Sequence, residues 1–237
     1  MSMTLDQEKK EIALKGKIRD FVFGIQDGLI STLGLLCGVQ SATDNSKTVI
    51  ITGIAAMFTG ALSMATGAFL ATKAEKEIFE KELKDQEDYI EEHPYLAHEE
   101  LLESLNKEGL SRESAYRVVK LFSKQKMVFV RTFQEKVLGM SSSEMSRPFL
   151  SALVMYLSFV IGAAVPIIPY FLFNVDQGVW VSVGVSAMTL FSVGVFKSWL
   201  ARKSLIRGGL EFLLVACGSA FLGWLVGQFL APEANLA

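Results

Sequence analysis

The residue best placed to do chemistry in this chain is Asp27, a carboxylate inside an otherwise apolar stretch. Phe21 to Val39 is apolar apart from Gln26, Asp27 and a few small hydroxyl residues, and Val49 to Ala71 follows after the polar turn 40–48. Each stretch is long enough to cross a bilayer, which takes about 20 apolar residues at about 1.5 Å rise each. An ionisable group within such a span is costly, so it faces a bundle interior or a water-filled path as a rule. Asp27 lies six residues in from the start of its helix, and Met64 lies eight residues from the end of the antiparallel next one. Both therefore sit about 9–12 Å inside by the helical rise. A hard oxygen and a soft sulfur at one depth suit a transition metal, although a methionine in a span is also ordinary packing.

A second set of groups with chemical potential follows at Glu87, Asp88, Glu91, Glu92, Glu99, Glu100 and Glu103. Glu87/Glu91, Asp88/Glu92 and Glu99/Glu103 are like-charge i,i+4 pairs, which destabilise a bare helix by a few tenths of a kcal/mol each. Two readings follow: a cation held between the acids, or a solvated face neutralised by Lys and Arg of a neighbouring helix.

The elements that must position these groups follow from hydropathy. The chain has 237 residues, 51% of them hydrophobic and 20% charged, with a mean hydropathy of +0.36. The charge is segregated, since residues 73–147 hold 16 of the 25 acids and 13 of the 23 Lys and Arg. Five apolar spans are predicted, at roughly 21–42, 49–72, 149–173, 178–200 and 208–230. The fold class is thus an all-α integral membrane protein, with five transmembrane helices and a cytosolic three-helix insert between spans 2 and 3. Its organisation is a cytosolic N-terminal segment 1–20, helices one and two over 21–72, the insert 73–147, helices three to five over 148–231, and a tail 232–237. Lys9, Lys10, Lys15, Lys17 and Arg19 precede the first span, and Lys197, Arg202, Lys203 and Arg207 flank the fourth-to-fifth connection, against Lys47 alone on the other side. The positive-inside rule then places the N-terminus and the insert in the cytosol and the C-terminus outside. Residues 1–20 have no apolar core, so no cleaved signal is predicted.

A net charge of −2 gives no footprint for nucleic acid. Cys37 and Cys217 both lie in apolar spans and form neither a disulfide framework nor a metal spacing. No nucleophile–base pair or phosphate loop appears, so the chain does not read as an enzyme.

Local signals refine the elements. Gly24, Gly28, Gly34 and Gly38 make two small-xxx-small pairs in the first span, which predicts close helix packing. Gly53, Gly60 and Gly67 recur every seven residues in the second, as do Met57 and Met64. The second span runs on without Gly or Pro to Glu92 and ends at His93-Pro94. A helix over about 97–107 stops at Gly109, and Ser111 caps a third predicted to run to about Leu138, with Gly139 closing it. Pro166 and Pro169 predict a kink in the outer half of the third span. Glu211 beside Arg207 predicts an interfacial ion pair.

Three segments together have a recognisable order: Arg19-Asp20-Phe21-Val22-Phe23-Gly24-Ile25-Gln26-Asp27-Gly28-Leu29, Ala61-Leu62-Ser63-Met64-Ala65-Thr66-Gly67-Ala68-Phe69-Leu70-Ala71-Thr72-Lys73, and Pro166-Ile167-Ile168-Pro169-Tyr170. In sequence and spacing they resemble the vacuolar iron transporter family over nearly the whole chain. The resemblance implies a homodimer in the lipid bilayer that moves Fe2+ or a similar divalent ion out of the cytosol against protons. It implies that Asp27 and Met64 line the ion path, that the insert collects metal through glutamates, and that subunits associate largely through the first span with its glycines. No permanently bound cofactor is implied, only the transported metal, Fe2+ or Mn2+. The chain departs from the family pattern at Ala56, where a second-span glutamate is usual. It departs again at Gln86, Tyr89, Ala97 and Val137, which leaves Glu100 as the bundle glutamate in place. Glu87, Glu91, Glu103 and Glu135 lie near enough to substitute as metal ligands.

Three functions compete on these grounds: a divalent-cation/proton exchanger, a family-fold protein with a substrate other than iron, and a membrane-anchored interaction protein without transport. The last is favoured if Asp27 is locked in a salt bridge or buried against backbone donors.

Overall fold

A computed structural model describes the backbone of residues 5–43, 45–137 and 147–234, and side chains within 18–43, 45–137 and 147–229. The described residues form nine helices and no strand: α1 (Leu5–Ala42), α2 (Ser46–Glu92), α3 (Pro94–Lys107), α4 (Arg112–Phe122), α5 (Lys126–Lys136), α6 (Pro148–Ile167), α7 (Pro169–Leu172), α8 (Val175–Leu200) and α9 (Leu205–Ala234). Five stretches are long and apolar enough to span a membrane, Ile18–Ala42, the α2 helix, Pro148–Leu172, Val175–Leu200 and Leu205–Phe229. The protein is a multi-pass membrane protein by this measure, and the spans match those predicted from hydropathy.

The chain divides into two compact units, one within Thr72–Ser146 together with the first residues, the other made of Lys10–Ala71 and Arg147–Ala237. In the second unit α1 is the central helix, and its glycines explain why. A Cβ at Gly28 would lie 2.4 Å from the Phe159 carbonyl oxygen of α6, and one at Gly38 would lie 2.9 Å from the Gly223 carbonyl oxygen of α9. Gly24 meets Ser158 of α6 and Gly34 meets Ser219 of α9 in the same way. All four glycines therefore serve close packing within one chain. Without a hydrophobic drive between helices in lipid, such small-residue contacts and interhelical hydrogen bonds hold the bundle. The Ser219 hydroxyl donates to the Ile30 carbonyl at 2.7 Å and closes the α1–α9 seam. At the start of α6 the Ser151 hydroxyl donates to the buried Asp20 carboxylate of α1, which Arg19 also contacts at 3.4 Å.

The third span breaks where its prolines predict. Pro166 and Pro169 lack the N–H that would close the preceding turn, and α6 gives way to the single turn α7 at Ile168. The Ser182 hydroxyl of α8 donates to the Pro166 carbonyl at 2.7 Å, so a neighbouring helix satisfies part of the disturbed backbone.

The other unit is a small bundle around Ile90, Ala97, Leu101, Leu105, Ala115, Val119, Phe129, Val130 and Phe133. The long second helix ends at Glu92 as expected, with Pro94 as the first residue of α3. Gly109 adopts a φ of +102°, and its neighbour Leu110 donates to the Leu105 carbonyl, which ends α3. Ser111 caps α4 by accepting from the Ser114 N–H at 3.3 Å. The continuous helix predicted beyond it is corrected: α4 ends at Phe122 and α5 begins at Lys126. The break lets α4 and α5 pack on each other and on α3, which a single straight helix cannot do. The predicted C-terminal Gly139 lies outside the described residues. A second correction concerns Glu211 and Arg207, which are both exposed and form no ion pair among the described residues.

Candidate functional site

Between α1, α2 and α6 lies a cavity of about 420 Å3. α1 contributes Asp27, Ser31, Thr32 and Leu35, α2 contributes Ala56, Thr59, Gly60, Ser63 and Met64, and α6 contributes Phe159. The periodicity explains this membership. Residues 27, 31 and 35 recur every four, and 56, 59, 60, 63 and 64 follow the i, i+3, i+4, i+7, i+8 pattern of a single helix face. Gly60 is needed at this point, because a Cβ there would lie 2.6 Å from the Phe159 ring that walls the cavity.

The two residues singled out from the sequence, Asp27 and Met64, thus line the same cavity. Asp27 is half-buried, and among the described residues its carboxylate has no hydrogen-bond or ion-pair partner. The hydroxyls around it are arranged differently. Ser31 donates its proton to the Asp27 main-chain carbonyl at 2.6 Å, and Thr59 donates to the Ala55 carbonyl at 2.8 Å. Each proton is spent on the helix backbone, so the hydroxyl oxygen keeps its lone pairs for another partner. The donor set facing the cavity is therefore one carboxylate, one thioether and several neutral oxygens. Oxygen donors with a thioether suit a borderline divalent ion better than calcium or magnesium. Sequence reasoning missed Ser31, Thr59 and Ser63, although their spacing from Asp27 and Met64 carried the signal. Ala56 also lines the cavity, so the position where a glutamate was expected from the family pattern faces the site and brings no charge to it. A larger groove of about 830 Å3 between α1 and α9 is lined by small and apolar residues with no charged group, so it offers a cation no counter-charge.

The acids of the insert are placed differently. The Glu91 carboxylate accepts from Lys126 of α5, and Glu103 pairs with Lys107 at 2.9 Å. Glu100 accepts from the Tyr89 hydroxyl at 2.9 Å, a bond that holds the Tyr89 phenol above its ordinary range. Glu135 pairs with Arg131 at 3.2 Å, and Glu87 is exposed without an ion-pair partner among the described residues. Among the described residues no three His, Cys, Asp or Glu side chains come together as a metal-holding group. The structure does not bring Glu87, Glu91, Glu100 and Glu103 into one cluster.

Comparison with known proteins agrees with this architecture. The family model described as the VIT family matches residues 18–228. Vacuolar iron transporter 1 of Eucalyptus grandis is 30% identical over 213 residues, covering 89% of this chain and 86% of that protein. Vacuolar iron transporter 1 of Arabidopsis thaliana is 28% identical over 221 residues, covering 92% and 86% respectively. Protein CCC1 of Saccharomyces cerevisiae is 27% identical over 217 residues, covering 87% of this chain and 67% of that protein. The stretches on which the resemblance rested, around Asp27, Met64 and Pro166, all fall inside the matched region, and the chain belongs to the VIT family.

Proposed function

We propose that this protein carries a divalent transition metal, Fe2+ or Mn2+, out of the cytosol in exchange for protons, with Asp27 and Met64 as ligands on the path. The observation that carries this reading is the cavity that holds both residues, with the Asp27 carboxylate unlocked by any ion pair among the described residues. A carboxyl in a low-dielectric site is neutralised by a proton when empty and by the cation when loaded, so arrival of one expels the other. The Ser31 and Thr59 oxygens replace part of the ion's water shell at no cost in charge. The same freedom of Asp27 removes the observation that would have favoured a membrane anchor without transport, a locked Asp27.

Orientation belongs to the same proposal: the Lys and Arg flanks put the N-terminus and the insert in the cytosol and the C-terminus outside. So does the homodimer. Gly34 and Gly38 both line the apolar α1–α9 groove, which offers a second copy an uncharged surface on the first span. Disulfide cross-linking of Leu35→Cys in a cysteine-free background tests it, with a covalent dimer expected.

Ala56 favours a variant of this reading in which the carried ion is not iron. One carboxylate in place of two weakens the hold on any divalent ion, and a thioether then weighs more in the choice among them. Uptake into proteoliposomes of iron, manganese, cobalt, zinc and calcium, with internal pH recorded, distinguishes the readings. Proton-coupled uptake led by iron or manganese supports the proposal, and no uptake of any metal contradicts it.

A further inference from the structure

A second cavity, of about 450 Å3, opens between α1, α8 and α9, away from the α1–α2–α6 site. Its walls are aromatic: Trp180 from α8, and Phe221 and Trp224 from α9, whose rings lie 6.2 Å apart. Asp176 and Gln40 line it from the first turn of α8 and the last turn of α1, so the polar groups stand at one end. Cys37 is one helical turn deeper, about 4.5 Å along α1, and is buried at 4% exposure. The Asp176 carboxylate has no hydrogen bond or ion pair among the described residues.

Tryptophans near helix ends are commonly interfacial anchors. That role accounts for Trp180 and Trp224 singly, and it does not account for an unpaired carboxylate that lines the same cavity of ligand size as both. Aromatic faces attract cations through the ring quadrupole, most strongly when water is excluded, and a carboxylate at the rim supplies the counter-charge. A hydrated metal ion gains little from indole faces, and the thiol lies a helical turn deeper than the amide and the carboxylate. We propose that this cavity is a binding site for a lipophilic organic ammonium cation, held by the Trp180, Phe221 and Trp224 rings and charge-paired to Asp176.

Cys37 at the cavity floor supplies a reporter. In the full-length Cys217→Ser protein in detergent, benzyltrimethylammonium is expected to slow modification of Cys37 by N-ethylmaleimide by at least about fivefold. In Trp199→Phe protein, where Trp180 and Trp224 are the fluorophores, it is expected to shift the emission saturably, so an unreactive Cys37 leaves a second readout. Asp176→Asn, an exposed substitution, should weaken binding about tenfold by either signal. Neopentylbenzene, its uncharged isostere, should give neither signal. Equal effects of the isostere reduce the site to a greasy crevice, and protection by Zn2+ without protection by the ammonium makes it a metal site. Either outcome, unchanged binding in Asp176→Asn, or silence of both readouts overturns the proposal.

Discussion

Gly28→Ala tests whether the α1–α6 contact sets the geometry of the candidate site. The added Cβ would lie 2.4 Å from the Phe159 carbonyl oxygen, 2.9 Å from the Ala163 nitrogen and 3.1 Å from the Phe159 carbonyl carbon. All three are backbone atoms, so no side chain can swing aside. Restoring an ordinary contact from 2.4 Å requires the two helices to separate by about 1 Å. Overpacking of this kind costs about 1–3 kcal/mol. At about 2–4 °C per kcal/mol for a chain of this size, the melting temperature should fall by about 2–12 °C. Because Phe159 also walls the cavity, metal flux should fall with it. Gly67→Ala is the control, since a Cβ there meets nothing within 4 Å and the helix gains up to about 1 kcal/mol in propensity. Fluorescence-detected size exclusion after heating reads both variants in the intact protein. If Gly28→Ala melts with wild type and transports normally, the close α1–α6 approach is not what positions the site.

Ala56→Glu should return a second carboxylate to the cavity and tighten metal about tenfold, read as a lower Mn2+ concentration for half-maximal uptake. Lys126→Met should free Glu91 beside the unpaired Glu87 and raise Mn2+ binding several-fold by calorimetry on the intact protein, where wild type binds weakly at the insert. Glu91 holds the Lys126 ammonium above the usual lysine range, so the pair's stabilisation is present at neutral pH and up to about pH 10 and disappears as pH rises through the raised value. Thermal scans of wild type against Lys126→Met should therefore differ up to about pH 10 and converge above it. Asn106→Cys in intact membranes should react with an impermeant maleimide only from the cytosolic side, and labelling from the opposite side reverses the topology.

The spans were legible because each is a long run in which apolar residues far outnumber charged ones, and the break at Ile168 because Pro166 and Pro169 remove backbone donors by their covalent structure. The split between α4 and α5 was not. Ser123, Lys124 and Gln125 are all tolerated in a helix, and the 11 residues from Val119 to Val130 keep the buried face nearly in phase across the gap. Tertiary packing on α3 decides the break, and no local signal marks it. Asp27 stood out because a charge in a span needs a reason. Ser31 and Thr59 did not, because hydroxyls in a membrane helix commonly just bond back to the preceding turn, and only their shared cavity reveals the lone pairs left over. The glycines of α1 announced close approach, but periodicity does not say which helix approaches, and α6 and α9 of the same chain take that place.

The most direct test of the central claim is metal-driven proton movement in proteoliposomes containing Asp27→Asn. The substitution keeps the size of the side chain and removes its charge. The account predicts that both metal uptake and the accompanying change in internal pH are abolished, with folding intact by size exclusion, while Met64→Leu only lowers flux and blunts the preference among metals. Full metal-driven proton movement in Asp27→Asn contradicts it, since the other acids of the spans outside α2, Asp20, Asp176 and Glu211, do not line the cavity.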